Sequence, residues 1–409
     1  MTETIITVLV LSIAAGAVAV YLLKLKPMKG AKVKDLYAEG LDLMITGRRK
    51  AAYKNFKDII HQDSDNIKAY LRLGQVLREG GNSSQAIKIH RGLNHRRNLS
   101  HYEKVEMYKN LALDYYKAGN INAATKELHT LLKIEKYNEW ALSQLSVFYR
   151  VQQDWKNAGE YFEKYQKVAN KEDKHKLALY KIQEGRNLIN NKKFADARRK
   201  FEDALNISSE LGVAYYFIGN SYSSESEEEY QKSTEFNTEN HLVSQENPDY
   251  MEKAKELLGK AIPMWIRYTE INPEQAWMVI HLLKDGLFAL DRYSEIEDIL
   301  KQILKNNSDN IEVIASLSEI YSHRGENTDA IELIDSALEQ DPTSLIVKLI
   351  KMKLQAKKER NSNEFIRSLD DIIHFLVTDE RFQIYKDTAT DPDIIWLYET
   401  SDEKETLKL

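Results

Sequence analysis

A chain of 409 residues, 43% hydrophobic and 30% charged, is long enough for one large domain or two to three ordinary ones, with the composition of a folded, helix-rich protein. With no cysteine it has no disulfides, thiolate nucleophiles or cysteine-bound zinc or iron, and with 16 Gly and 6 Pro it has too few turn residues for a strand-rich sandwich. The net charge of −5 gives no general nucleic-acid footprint, and the lack of disulfides fits a reducing compartment.

Residues 5–23 read IITVLVLSIAAGAVAVYLL, without a charge. As a helix these nineteen residues rise about 28 Å, close to the hydrocarbon thickness of a bilayer. The rival reading is a cleaved signal peptide, which carries basic residues before a shorter apolar core. Here Glu3 precedes the core and Lys24, Lys26, Lys29, Lys32 and Lys34 follow it. The pattern predicts a transmembrane anchor over 1–24 and a juxtamembrane linker over 25–32, with the lysines and everything after them on the cytoplasmic side of the membrane.

Self-similarity dominates the body. Small residues recur at Ala52, Ala86, Ala124, Ala158, Ala197 and Ala330, the first five at intervals of 34, 38, 34 and 39. Four residues later stand Phe56, His90, Leu128, Phe162, Phe201 and Ile334. Twelve residues earlier stand Gly40, Gly74, Ala112, Ser146, Gly185 and Ser318, most with a large residue three positions on. This spacing resembles the tetratricopeptide repeat, a helix–turn–helix unit in which a small residue on one helix admits a large one from its partner. One pair cannot bury its own apolar face, so units stack. Turn signals recur as TGRR, EGGN, KAGN and HRGE, which excludes one long coiled coil. The predicted fold is all-α: a superhelical solenoid over 33–378, with a weak unit at 274–310 where Ile296 and Leu300 occupy the small and aromatic slots. An acidic insertion at about 223–250, containing SSESEEEYQKSTEFNTEN, reads as a solvated loop or partly ordered excursion, with a docking flap for a basic partner as the alternative.

No P-loop, GxGxxG, GxSxG or HExxH occurs, so an enzyme is not expected. His90, His95 and His101 could suggest a metal, but His90 falls in the slot held by Phe56 and Phe162 in other units, which makes it a packing residue. The Arg-rich turn Arg91–Arg97 reads as a solvated connector. Tetratricopeptide solenoids bind extended or helical peptides in a groove lined by the first helix of each pair. By spacing, Gln75, Arg78, Lys109, Tyr116, Arg150 and Arg186 should face that groove. No cofactor is expected.

An apolar anchor, a lysine collar and then these repeats resemble the lipopolysaccharide assembly protein B family of Gram-negative bacteria. The resemblance is closest in LRLGQVLREGGNSSQAIKIHRGL, through Leu73, Gly74, Arg78, Gly81, Ala86, Ile87, Ile89 and His90, and in LALDYYKAGNINAATKELHTLL, through Tyr115, Ala118, Gly119 and Ala124. That family ends in a small rubredoxin-like metal knuckle. Over 379–409 its frame is matched by Phe382, Trp396 and the closing Thr406, Leu407 and Lys408, but Ile384, Asp387, Tyr398 and Ser401 stand in the four ligand slots. None of the four thiols remains, so the tail reads as a strand-like knuckle without metal, held by Phe382, Tyr385, Trp396 and Tyr398. The resemblance implies a single-pass inner-membrane adaptor with its repeats in the cytoplasm. Such an adaptor would bring the deacetylase of lipid A synthesis to a membrane ATP-dependent protease, and a homodimer is left open. The alternative is a general tetratricopeptide scaffold or receptor for membrane protein-complex assembly.

Overall fold

The computed structural model of the protein describes residues 29–239, 248–308 and 310–358, together with 365, 367, 368, 371 and 372. The expected anchor at 5–23 and the expected knuckle at 379–409 lie outside the described residues. Among the described residues there is no strand, and no helix is long and apolar enough to cross a membrane. The chain divides into two compact units, Met1–Glu184 and Gly185–Leu409.

In the first unit, helices pair in succession: α1 (Lys29–Ile45) with α2 (Arg49–Gln62), α3 (Ile67–Glu79) with α4 (Ser83–Leu93), α5 (His101–Lys117) with α6 (Ile121–Ile134), and α7 (Glu139–Val151) with α8 (Trp155–Ala169). The next helix, α9 (Lys174–Asn190), runs across the boundary between the units. The second unit continues with α10 (Phe194–Ile207), α11 (Gly212–Glu239), α12 (Pro248–Ile271), α13 (Trp277–Ala289), α14 (Ile296–Asn306), α15 (Ile311–Arg324), α16 (Asn327–Gln340) and α17 (Leu345–Lys358). Short 3₁₀ turns at Pro273–Gln275 and Tyr293–Glu295 lead into α13 and α14. The all-helical repeat architecture expected from the sequence is what these residues form.

The small-against-large rule is visible atom by atom. Ala52, Ala86, Ala124, Ala158, Ala197 and Ala330 are all fully buried. A Cβ at Gly40, Gly74 or Gly185 would overlap the rings of Phe56, His90 or Phe201, sixteen residues later in each case. Where serine replaces glycine, its hydroxyl is satisfied by the facing backbone. Ser146 Oγ donates to the Ala158 carbonyl at 2.9 Å, and Ser318 Oγ to the Ala330 carbonyl at 2.8 Å. In the weak unit, Ile296 and Leu300 are buried as well, in an apolar cluster with Leu283, Leu287 and Ile303.

The turns between paired helices share one geometry. Gly47, Gly81, Gly119, Gln153, Lys192, Asp291 and Gly325 all have φ between 58° and 88°, and each ends the helix before it. In each case the next residue's N–H reaches back five residues, as from Asn82 to the Leu77 carbonyl and from Asn120 to the Tyr115 carbonyl, at 2.8 to 2.9 Å. This closes the carbonyls that a helix end leaves unpaired. Asn82, Asn120 and Asp154 follow directly and cap the next helix through their side chains.

The acidic insertion departs from expectation. Residues 223–239 are not a loop but the second half of α11, and α12 begins at Pro248. Three of the insertion's acids are paired with cations: Glu225 meets Arg198 at 2.7 Å, Glu228 meets Lys192 at 2.8 Å, and Glu229 meets both Lys232 and Lys253. Burial raises the Glu229 pKa, but hydrogen bonds from Lys232 and Lys253 outweigh it and hold the carboxyl below its ordinary value. Trp265 of α12 fills the space above Gly219 of α11 and donates to Asn220 Oδ1 at 2.9 Å.

Candidate functional site

Five of the six residues expected to face a peptide lie on first helices of the N-terminal unit, and Arg186 belongs to the other unit. On α3, Gln75 accepts from Arg72 at 2.6 Å and donates to Glu79 at 2.9 Å, forming a half-buried polar row along one face. On α5, Lys109 pairs with Glu106 at 3.2 Å and sits 5.6 Å from the Trp140 ring centroid, a cation–π approach. Tyr116 stacks on Phe148 with centroids 4.9 Å apart and planes 9° from parallel. Arg150 of α7 hydrogen-bonds the Tyr180 hydroxyl, whose pKa is raised mainly by burial. Arg186 lies 5.2 Å from the Phe217 ring centroid, within the second unit. Polar and aromatic side chains of these kinds can hold a peptide through hydrogen bonds and stacking.

Arg78 does not belong to that face. It is 6% exposed, and its guanidinium donates to Asp114 at 2.8 Å and to Asn110 Oδ1 at 3.1 Å. The same Asp114 meets His90 Nδ1 at 2.5 Å, while His90 Nε2 faces the Leu71 carbonyl at 3.1 Å. A buried network thus ties α3, α4 and α5 together, with both Asp114 and His90 wholly inaccessible. His90 is the packing residue its slot implied, and it is polar because an acid stands opposite it. Asp114 stands two residues after Ala112, at a position that is Val76, Phe148 and Ile320 in three units but Asp42 and Asn187 in two others, so the sequence carried only a weak signal for it. Once buried, such an acid needs polar partners.

A second polar cluster sits in the N-terminal unit around His129 of α6. Its Nε2 lies 2.8 Å from the Tyr149 hydroxyl and its Nδ1 3.4 Å from that of Tyr161, and the two tyrosine rings stack. Burial first, then the nearby Lys133 and Lys164, hold the His129 imidazole below its ordinary pKa. His95 and His101 are exposed on and beside the connector between α4 and α5, and Arg96 in that connector pairs with Asp65 at 2.7 Å and lies over Tyr70. Among the described residues, no three His, Cys, Asp or Glu side chains gather in a way that could hold a metal.

Residues 287–352 match the tetratricopeptide repeat family. Lipopolysaccharide assembly protein B of Escherichia coli K12 is 24% identical over 144 residues, which cover 35% of this chain and 37% of that protein. The protein of the same name from Haemophilus influenzae is 26% identical over 249 residues, covering 59% of this chain and 60% of the relative. Among solved structures, part of a repeat protein from Cytophaga hutchinsonii aligns with 77% of this chain and 98% of its own at 13% identity and a TM-score of 0.36, too low to say anything of shape. Repeat slots, turns and relatives together mark the chain as a tetratricopeptide-repeat protein similar to lipopolysaccharide assembly protein B.

Proposed function

We propose that the protein is a membrane-anchored adaptor without chemistry of its own. It would hold the deacetylase of lipid A synthesis near a membrane ATP-dependent protease and so restrain lipopolysaccharide output. The observation that carries this reading is the similarity to lipopolysaccharide assembly protein B in two species, on a chain with tetratricopeptide repeats. The physical mechanism is tethering. Residues 5–23 would fix the chain to the inner membrane with the repeats in the cytoplasm, and two proteins held at one surface meet at a raised effective concentration. Gln75, Lys109, Tyr116 and Arg150, all on first helices of the N-terminal unit, are the proposed seat for one partner. Arg78 acts from beneath, by fixing α3 against α5.

The test is the lifetime of the deacetylase in cells with and without this chain. Loss of the chain should lengthen that lifetime several-fold and raise lipid A. An unchanged lifetime would refute the reading. One observation favours a second reading, a scaffold for another membrane complex: Ile384, Asp387, Tyr398 and Ser401 occupy the positions where the resembling family carries its metal ligands. On that reading the lifetime stays the same while another envelope assembly fails.

A further inference from the structure

The net charge of −5 conceals a division. Residues 1–184 hold 31 of the 58 Lys and Arg but only 20 of the 63 Asp and Glu, a net of +11, and the remaining residues carry −16. Within the N-terminal unit the excess sits on the second helix of each pair. There α2, α4, α6 and α8 hold eleven Lys and Arg against four acids, while α1, α3, α5 and α7 hold ten against eight. Three of the lysines share one register. Lys54, Lys88 and Lys126 each follow a fully buried alanine of the repeat (Ala52, Ala86, Ala124) by two residues. Each is exposed, and only Lys126 has an acid, Glu127, beside it in the sequence. The repeat itself does not demand a lysine there. The same register is Glu160 in α8, so the row ends at α6, and it is Glu332 in α16, on a helix whose charged residues are Asp329, Glu332, Asp335 and Glu339.

We propose that this lysine row seats the N-terminal unit on the anionic headgroups of the bilayer that holds residues 5–23. Charge complementarity and continuity single out that occupant. Lys24, Lys26, Lys29, Lys32 and Lys34 continue the basic character along the sequence from the end of the apolar run into α1, the helix paired with α2 and its Lys54. Basic side chains near an anionic leaflet are attracted to it over roughly a Debye length. The acidic second half gains nothing from such a surface, so the attraction acts on one unit only. The proposal rests on the membrane-anchored reading given above.

The test uses the full chain in nanodiscs of neutral lipid, with or without phosphatidylglycerol, and measures the acylation rate of individual lysines by mass spectrometry. Lys54, Lys88 and Lys126 should react several-fold more slowly in the anionic discs. Exposed Lys305 of α14 should not change, and added salt should restore the three rates. Equal rates in both discs, with the chain inserted in each, overturn the proposal and leave the anchor standing. A chain that elutes free of both discs overturns the anchor and the proposal together. If added polyglutamate protects the three lysines and anionic lipid does not, the row is a site for an acidic protein and the proposal fails.

Discussion

Gly74 lies against the His90 ring with no room for a Cβ, and the ring is fixed on both nitrogens. Gly74→Ala should therefore force a shift of α4 and cost about 1–3 kcal/mol in denaturant unfolding. Asp114 is the shared acceptor of Arg78 and His90 with no exposure of its own. Asp114→Ala should cost about 3–5 kcal/mol, because it strands a buried guanidinium. In a double-mutant cycle, adding Arg78→Met should recover part of that loss, which a simple cavity at Asp114 would not allow. His129 gives a pH signature. Its pKa is lowered in the folded protein, so the unfolded chain binds the proton more readily. Its stabilising contribution is present above the ordinary histidine pKa and is lost as pH falls below it. The stability difference between wild type and His129→Leu should therefore shrink between about pH 7 and pH 5, and a constant difference would exclude the effect.

Turn chemistry and the insertion decide the account at the level of single elements. Gly81 ends α3 with φ of +84° and open space where a side chain would go, so Gly81→Ala tests backbone conformation free of packing. It should cost about 1 kcal/mol by thermal or chemical unfolding. Four of the seven such turns were legible as TGRR, EGGN, KAGN and HRGE because glycine marks them. Gln153 and Lys192 adopt the same left-handed conformation with no residue that announces it, and Asp291 does so with only the weak preference of an aspartate. The insertion was misread for a related reason. SSESEEEYQK looks like solvated chain, yet three of its acids meet Arg198 of α10, Lys192 of the turn before it and Lys253 of α12, which cannot be paired by reading along the sequence.

Across the whole molecule, the repeat period was the most legible feature, because small and large side chains alternate at fixed spacing to let paired helices close. Of the residues proposed to meet a peptide, Gln75, Lys109 and Tyr116 are half-buried. Arg78 could be assigned correctly only once Asp114 was seen across from it on α5, a pairing of residues 36 apart. The division of charge could have been read from composition, but the whole-chain value of −5 averages it away. What the repeats hold is settled most directly by crosslinking the intact chain in native membranes and identifying its neighbours by mass spectrometry. We expect the lipid A deacetylase and a membrane ATP-dependent protease to be recovered together, with crosslinks on the face of α3, α5 and α7. Recovery of neither enzyme, or of both equally well from a chain whose α3, α5 and α7 face has been replaced by alanines, would refute tethering by these repeats.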